Sequence, residues 1–555
     1  MNRCYASLIL MVVFSCTSCT EQTPKTVSPP PNPPRIVNII NFIRQLEPRD
    51  AHITEEVLYE TVVQQVNQLN ECKLPATFLL QYDALLNPRY QELLKGCLFP
   101  GSEVGAWWEI TQPHVETAGM YWRGRFPWDW HADVGFATGY TPQEREKLVD
   151  VYMEKFKSVF GKYPSSVGSW FIDAHTLAYM YDKYHIVASC NCKDQLGTDG
   201  YTLWGGYWNQ AYYPSRKNAF MPAQNETAQI SVPIFRMLGS DPIYQYDTGL
   251  GRRVQGVISL EPVYRRGGGD RKWVEWFFRS IFDDPSLNFN YTQAGQENSF
   301  TWEQMKRGLE IQIPLLDSLR RQGKIRVETL ETSGKWFREK FPVTPPTALS
   351  ALTDIRDEGR KTIWFNSRYY RANLLWKDNS FRFRDIHLFD ERLESDYLTK
   401  AGVTNQCVYM TLPLVDGFLW STADDLAGLR FKKIEKDGQV TELMMGDPTV
   451  TTPVADVLQV ECKLESGETV RMTFYEDRLE IFCNAGKNLR WILELDVAPG
   501  KELPFTAIEK QRIKAVLNSF EYEITCKDAS FEKSGNTFRI IPSKKQLALT
   551  MKQPV

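Results

Sequence analysis

The chain lacks an excess of charge of either sign. Its 555 residues include 65 Lys and Arg against 68 Asp and Glu, which leaves a formal net charge of −3 at pH 7. Proteins that bind nucleic acids usually carry a basic patch or stripe, and this balance gives no reason to expect one. We therefore predict no nucleic-acid partner.

Histidine and regularly spaced cysteine are also scarce. The chain has six His, and no Cys-x-x-Cys pair stands near a pair of His, so the usual sequence pattern of a zinc site is missing. Cys190 and Cys192 are too close in sequence for an ordinary disulfide. We expect the cysteines beyond the N-terminal region to be buried thiols.

The apolar run near the N-terminus, Tyr5–Phe14, is too short to span a bilayer. Because Arg3 precedes it, the run has the form of a secretory signal. The residues that follow resemble a bacterial lipoprotein box, in which the first mature residue is a lipid-modified Cys. We predict a lipoprotein signal peptide over residues 1–19 with lipidation at Cys16, or alternatively at Cys19. A plain signal peptide cut nearby is the other interpretation.

Residues 20–34 are rich in Pro and Thr and are predicted to form an extended tether. The tether and the lipid would hold the folded part off a membrane surface. The protein is then expected to be exported and anchored to a bacterial membrane, on the outer membrane facing the periplasm or the cell surface.

Acidic residues recur at the ends of short, β-like apolar runs. Between residues 35 and 300 we count seven such runs, and six of them end in a carboxylate or close to one. In a β/α barrel the residues just past the C-terminal end of each strand meet at one mouth, where the chemistry lies. The candidate catalytic acids at these positions are Asp83, Glu109, Asp173 and Glu261.

Aromatic side chains accompany these acids, especially in the loops at residues 119–140 and 202–213. Exposed Trp and Tyr stack on the apolar faces of sugar rings, although the two loops could instead pack on each other. A mouth lined by acids and aromatic rings indicates a carbohydrate site. The candidate substrate-binding residues are Arg44, Glu47, Trp107, Trp108, Trp128, Trp130, His131, His175, Trp204, Tyr207, Gln293, Glu297 and Asn298.

The order of strand and helix signals predicts two domains. Strands and helices alternate over residues 35–345, for example in a helix predicted over Pro142–Phe160, which follows Thr141 and stops at Gly161. Such alternation favours a parallel sheet that right-handed crossovers close into a barrel. Over residues 346–555 short alternating strands separated by Asp, Gly and Asn turns favour an antiparallel β-sandwich.

Three segments, Leu74–Phe78, Gly101–Gly105 and Phe160–Pro164, resemble in order the A-T-F-F strand, the E-I-G strand and the F-G-x-x-P lead-in of the polysaccharide-deacetylase superfamily. The segments Glu103–Glu109 and Gln296–Phe300 are also similar to those of exported Bacteroidetes proteins described as glycoside hydrolase/deacetylase. The resemblance covers about residues 35–345. It implies an α/β fold, a distorted (β/α)7-type barrel followed by an antiparallel β-sandwich domain.

The departures from that family concern its metal. The family's deacetylases carry an Asp-Asp pair after the first strand and a His-x-x-x-His after the third, which hold a metal that activates water. Here the first run ends in Arg44–Arg49 without an Asp pair, and His114 has no partner four residues away. We therefore favour no cofactor. A substituted divalent-metal site that uses Asp83, His131 and Asp173 or His175 is the alternative.

Glycoside hydrolysis needs two carboxylates, one as acid and one as nucleophile or base. The resemblance favours Asp173 as the nucleophile, because hydrolases of this superfamily place theirs after the fourth strand. The alternative for Asp173 is a helix N-cap. Glu261, after an apolar strand, and Glu109, after two Trp, are expected to have raised pKa values that suit a general acid. Their alternative is an ion pair.

The sequence thus predicts a carbohydrate-active hydrolase whose ligand is an oligo- or polysaccharide. The favoured activity is glycoside hydrolysis by an Asp/Glu pair at the barrel mouth. The alternatives are a metal-dependent polysaccharide deacetylase with non-standard ligands and a non-catalytic glycan-binding protein. Nothing in the sequence predicts the oligomeric state.

Overall fold

The computed structural model describes residues 33–486 and 489–554. The predicted signal peptide and almost all of the predicted tether, with the lipidation candidates Cys16 and Cys19, lie outside these residues. Within the part of the chain that is described, no helix combines the length and the apolar character needed to cross a membrane.

The N-terminal half is built on a sheet of mainly parallel strands. Its strands in chain order are β1 (Arg35–Ile43), β2 (Thr77–Leu80), β3 (Glu103–Trp107), β4 (Ser166–Gly168), β5 (Ala188–Asn191), β6 (Tyr201–Trp204), β7 (Ala211–Tyr212), β8 (Ile234–Arg236), β9 (Ser286–Leu287), β10 (Asn290–Ala294) and β11 (Arg326–Glu328). Nine of them form one sheet in the order β10-β1-β2-β3-β4-β5-β8-β7, with β11 also paired to β1. Only the edge pair β7–β8 is antiparallel among these nine described strands.

Side chains and loops bridge the two sides of this sheet. The backbone N–H of Leu238, just past β8, donates to Gln293 Oε1 on β10 at 2.7 Å. The rings of Phe235 and Tyr291 also meet across the gap, with centroids 4.9 Å apart. The sheet is therefore a nearly closed, distorted barrel, and aromatic and aliphatic side chains fill its interior.

Helices alternate with the barrel strands, as the sequence predicts. They are α1 (Glu55–Cys72), α2 (Tyr82–Leu86), α3 (Pro88–Gly96), α4 (Gln112–Thr117), α5 (Pro142–Phe160), α6 (Ala174–Tyr184), α7 (Arg271–Phe282), α8 (Thr301–Arg321) and α9 (Leu330–Lys340). Helix α5 begins with a reciprocal cap, in which Thr141 Oγ1 accepts from the Glu144 N–H and Glu144 Oε2 accepts from the Thr141 N–H. It ends at Gly161, whose φ of 77° suits a residue without a side chain.

The C-terminal half is antiparallel β-structure. Its strands are β12 (Thr347–Ala351), β13 (Arg360–Asn366), β14 (Tyr370–Lys377), β15 (Ser380–Leu388), β16 (Cys407–Met410), β17 (Leu412–Asp416), β18 (Gly428–Ile434), β19 (Val440–Glu442), β20 (Thr449–Thr451), β21 (Leu458–Lys463), β22 (Thr469–Phe474), β23 (Arg478–Cys483), β24 (Trp491–Asp496), β25 (Phe505–Glu509), β26 (Arg512–Leu517), β27 (Phe520–Lys527), β28 (Ala529–Ser534), β29 (Thr537–Pro542) and β30 (Gln546–Thr550). The predicted fold class is confirmed.

Two sheets contain all of these strands except β16, which pairs with β6 in a separate two-stranded sheet. An 11-stranded sheet has the order β28-β29-β24-β18-β15-β14-β13-β12-β9, with β17 and β19 as side branches, and an 8-stranded sheet has the order β20-β21-β22-β23-β30-β27-β26-β25. Apolar side chains meet between the sheets, as where the rings of Phe365 and Phe474 lie 5.3 Å apart. The predicted boundary at residue 345 falls between α9 and β12.

The barrel and the sandwich are joined by strand pairing and by buried charge. Strand β9 pairs with β12, and β6 pairs in parallel with β16. Just past β5, Asp194 accepts a hydrogen bond from Arg236 at 2.7 Å and another from Arg371 on β14. Arg371 also binds Asp385 with two bonds of 2.8 Å. These four side chains are buried, so each charge depends on its partners.

Replacing Asp194 tests this junction. We expect Asp194→Asn to cost about 3–5 kcal/mol of stability, because two buried guanidinium groups lose a charged partner. The exposed pair Asp182–Arg216 provides the matched control, and Asp182→Asn is expected to cost less than about 1 kcal/mol. Unfolding midpoints in urea or on heating measure both, and equal effects would contradict a junction held by buried charge.

Candidate active site

A cavity of about 380 Å³ lies at the carboxyl ends of the barrel strands. Its lining includes residues that follow β1, β4, β5, β8 and β10, which is where a β/α barrel gathers its functional side chains. The sequence-predicted residues that line it are Arg44, Glu47, Trp128, Trp130, Glu261 and Glu297.

Arg44, the first residue after β1, is buried at the centre of this site. Its Nη2 and Nε donate to the two oxygens of Glu109 at 2.6 and 2.9 Å. Its Nη1 lies 2.9 Å from Glu297 Oε2 and 3.8 Å from Glu47 Oε2. The guanidinium also lies 4.1 Å from the ring centroid of Trp128. One cation thus contacts three carboxylates and one indole.

The backbone at Arg44 is fixed as firmly as its side chain. The N–H of Arg44 donates to Asn298 Oδ1 at 2.9 Å, and its carbonyl accepts from Asn298 Nδ2 at 2.9 Å. Burial alone would lower the pKa of Arg44, but Glu109 and Glu297 together raise it above its ordinary value. The cation is therefore permanent at any working pH.

Glu109 is fully buried, and both of its oxygens are occupied. Besides the fork from Arg44, it accepts hydrogen bonds from Gln81 Nε2 at 2.7 Å and from Trp170 Nε1 at 2.9 Å. A carboxylate with four donors is a poor nucleophile and a poor proton donor. Glu109 does not line the cavity, and its place in the structure is that of the partner of Arg44.

The Arg44–Glu109 pair occupies the two positions from which the resemblance would draw metal ligands, after β1 and after β3. Among residues 33–486 and 489–554 no group of three or more His, Cys, Asp or Glu side chains is arranged to hold a metal ion. The side chains present at the mouth therefore do not fit the metal of a deacetylase, and we derive no step through one.

Glu297 lines the cavity and contacts Arg44 through Nη1, whereas Glu109 is bound by Nε and Nη2 of the same side chain. Its Oε1 accepts from Ser299 Oγ at 2.6 Å, and its Oε2 has no hydrogen-bond partner among the described residues despite the nearby Arg44. Burial raises the pKa of Glu297 to about 7, with Arg44 opposing that rise and Glu109 adding to it. Glu297 can therefore hold a proton near neutral pH.

Glu261 also lines the cavity, but the run predicted as a strand before it forms only an isolated bridge between Ser259 and Ser240. Its Oε1 accepts from Gln296 Nε2 at 2.8 Å, and its Oε2 accepts from Ser259 Oγ at 2.6 Å. Burial raises the pKa of Glu261, as the sequence predicts, while Lys193 and these two donors favour its ionised form. No arginine binds this carboxylate among the described residues.

Glu47 is bound more tightly than the other two lining glutamates. Arg49 donates to both of its oxygens, with distances of 2.7 and 2.6 Å. Burial would raise the pKa of Glu47, but the hydrogen bonds from Arg49 and the charge of Arg44 lower it. Arg49 in turn lies 5.3 Å from the ring of Trp128 and 5.7 Å from that of Trp130. This arginine and two indoles form one wall of the cavity.

Asp173 lies outside the cavity, contrary to its predicted position. It caps α6 by accepting from the Thr176 N–H at 2.9 Å and from Thr176 Oγ1 at 2.6 Å. Arg145 Nη1 donates to it at 2.8 Å, and both side chains are fully buried. Arg145 also donates to the carbonyl of Tyr397 in the sandwich half. The alternative interpretation, a helix N-cap, describes its surroundings.

Several predicted aromatic and histidine residues also lie away from the cavity. Trp204 is buried against the sandwich, where its Nε1 donates to Asp416 at 2.8 Å. Tyr207 donates to the carbonyl of Pro345 at 2.7 Å. His175 pairs with Glu146 at 3.0 Å. The remaining predicted residues outside the lining are Asp83, Trp107, Trp108, His131, Gln293 and Asn298.

The structure adds lining residues that the sequence analysis missed, among them Trp170, Lys193, Tyr201 and Tyr264. Lys193 is buried, and its Nζ has no hydrogen-bond partner among the described residues. Trp170 and Lys193 follow β4 and β5, so strand-end position alone could have indicated them. The acid predicted after β4 was Asp173, which lies outside the cavity.

No family model and no curated protein sequence matches the chain. A solved structure from Parabacteroides distasonis, which carries the provisional description glycoside hydrolase/deacetylase, is similar in fold with a TM-score of 0.50. It is 15% identical over 68% of this chain and 90% of that chain. The barrel thus has the fold that the resemblance predicted, and this likeness concerns the fold alone.

Two solved structures provisionally described as polysaccharide deacetylases are also similar. The protein from Mycobacterium smegmatis is 11% identical, with a TM-score of 0.33 over 57% of this chain and 94% of that chain. The protein from Pseudomonas aeruginosa is 10% identical, with a TM-score of 0.36 over 56% of this chain and 93% of that chain. Their lower TM-scores add nothing to the assignment of the fold.

Asp83 gives a test of the electrostatics beside the cavity. Burial raises its pKa to about 7, with the Ala84 N–H opposing and Glu109 adding to the rise. At pH values between the ordinary pKa of Asp and about 7, the folded protein keeps a proton on Asp83 that the unfolded chain releases. The free energy of unfolding therefore falls as the pH rises through this range. We expect Asp83→Asn to stabilise more at pH 8 than at pH 5, by about 1.4 kcal/mol for each pH unit between pH 5 and the raised pKa of about 7.

Unfolding midpoints at the two pH values measure this effect. The exposed Asp396 is the matched control, and Asp396→Asn should change the midpoint little. A stabilisation by Asp83→Asn that does not depend on pH would show that Asp83 is ionised in the folded protein.

Proposed function

We propose that the protein hydrolyses a glycosidic bond of an oligo- or polysaccharide, with Glu297 as general acid and Glu261 as nucleophile or base. The observation that supports this is the presence of these two buried glutamates in one cavity lined by indoles. Glycoside hydrolysis uses two carboxylates on either side of the scissile bond. The neighbour of TM-score 0.50 carries a description of the same class.

The assignment of roles rests on the surroundings of each carboxyl group. A general acid must hold a proton at working pH, and the pKa of Glu297, raised to about 7, meets that need. A nucleophile or base must be ionised. Burial raises the pKa of Glu261, and the charge of Lys193 and the hydrogen bonds from Ser259 and Gln296 oppose that rise and favour the ionised form. Glu47 and Glu109 are engaged by arginine forks and are left out of the proposed chemistry.

The aromatic wall supplies the binding surface. Trp130 is partly exposed, and its ring lies 6.3 Å from that of Trp128. A partly exposed indole at the mouth can stack on the apolar face of a sugar ring, while the polar lining addresses its hydroxyls. Because Trp128 contacts Arg44, the same indole pair connects substrate binding to the charged centre.

The two glutamates can be distinguished with substrates of different leaving groups. We expect Glu297→Gln to lower kcat on an unactivated glycoside about 10²–10⁴-fold, the usual contribution of a general acid. A nitrophenyl leaving group needs no protonation, so the same variant should retain far more activity on a nitrophenyl glycoside. Glu261→Gln should lose activity on both substrates, because the attacking or base function is removed.

The pH profile provides a second readout of the same variants. Activity should fall as pH rises through about 7, when Glu297 loses its proton, and this alkaline limb should be absent from Glu297→Gln. The exposed Glu339 of α9 is the matched control, and Glu339→Gln should behave as the native protein. Full activity of both cavity variants on a cleaved polysaccharide would refute the proposal.

A further inference from the structure

A second cavity, of about 480 Å³, lies where the loop after β8 meets the 11-stranded sheet. Its lining carries six cationic side chains and a single acidic one, Asp247. The cations are Arg266, Arg356, Arg360, Lys377, Arg382 and Arg430. They come from both halves of the chain, so the cavity exists only in the assembled fold.

Asp247 cannot balance this charge, because it is shared. Its Oδ2 lies 3.6 Å from Arg360 Nη1 and 3.8 Å from Arg382 Nη2. The same oxygen accepts from Nη1 of Arg384, a buried arginine outside the lining, at 3.2 Å. One carboxylate therefore faces three guanidinium groups, and most of their positive charge remains available to a ligand.

Acidic side chains other than Asp247 form ion pairs with only two of the six lining cations. Arg430 lies 3.5 Å from Glu442 and 3.3 Å from Asp496, and Arg360 Nε lies 3.2 Å from Glu358. The three remaining lining cations, Arg266, Arg356 and Lys377, form no ion pair with any described residue. Three unpaired charges in one concave surface make it a strongly positive site.

Two of the arginines are held in position before any ligand arrives. Arg356 and Arg360 lie over the ring of Tyr244, at 3.8 and 4.8 Å from its centroid. Tyr244 donates to Asp354 at 2.7 Å, and Asp354 also accepts from the backbone N–H groups of Arg356 and Arg360. The loop that carries both guanidinium groups is therefore fixed, which lowers the entropy lost on binding.

Arg382 provides the buried part of the site. Its side chain is 5% exposed and donates to the carbonyl of Ala427. Burial lowers the pKa of Arg382 to about 10, since Asp247 only partly offsets burial and the charges of Arg384 and Arg430. An anion that binds beside such a guanidinium stabilises its charged form.

We infer that this second cavity binds a multiply charged oxyanion, a sulfate or phosphate group that is either free or carried as an ester on a sugar. Arginine forks match the geometry of such groups and bind them through paired hydrogen bonds. The inference is independent of the proposed hydrolysis, because it rests on different residues. It places a second ligand-binding site between the barrel and the sandwich.

Calorimetric titration of the full-length protein with inorganic sulfate and with inorganic phosphate, at constant ionic strength, tests the site. We expect saturable binding that the double variant Arg356→Gln/Lys377→Gln weakens about tenfold or more, since two charged contacts are removed. Both side chains are exposed, so the variant should fold. The control Lys272→Gln/Lys340→Gln changes the net charge equally, at exposed positions outside the cavity, and should bind as the native protein does.

A sulfated disaccharide and its unsulfated counterpart distinguish the two sources of the anion. Tighter binding of the sulfated sugar than of inorganic sulfate would assign an ester on a sugar, and equal affinity would assign the free ion. Absence of saturable binding of every anion, or an equal loss of affinity in the control variant, would overturn the inference.

Discussion

The guanidinium of Arg44 organises the charges at the mouth of the barrel. It neutralises Glu109 through two short hydrogen bonds, contacts Glu297 and stacks on Trp128. Its position after β1 is fixed by reciprocal hydrogen bonds between its backbone and Asn298. Without this cation, three buried carboxylates would face one another in a medium of low dielectric constant, which is unfavourable.

The division of the acids into engaged and available groups follows from this arrangement. Glu109 and Glu47 each receive a two-bond fork from an arginine, whereas Glu297 and Glu261 receive no such fork and have raised pKa values. Carboxyl groups in one site whose surroundings differ in this way are suited to different roles in acid–base catalysis. This arrangement requires charged side chains to be buried, which costs desolvation free energy. Asp194 and Arg371, at the junction between barrel and sandwich, are buried charges of the same kind.

The sequence predicted the architecture better than the site. Periodicity, Thr141 and Gly161 indicated α5. The apolar run before Glu261 indicated it correctly as a lining residue, although residues 257–260 do not form the predicted strand. Asp173 also follows an apolar run, but it forms a buried ion pair with Arg145, 28 residues earlier in the chain, and does not line the cavity. Trp204 and Tyr207 are residue types that stack on sugars, yet both are buried: Trp204 donates to Asp416, and Tyr207 donates to the carbonyl of Pro345. Contacts between residues so far apart in sequence cannot be read from local pattern.

The central claim is that the cation of Arg44 stands where the family resemblance would place a metal, which is why the proposed chemistry uses carboxyl groups. Turnover of a cleaved glycan by protein freed of metal with a chelator, with metal content checked by elemental analysis, tests this most directly. We expect the metal-free protein to cleave the glycan at an unchanged rate. Loss of activity on chelation, restored by a stoichiometric divalent metal, would contradict it.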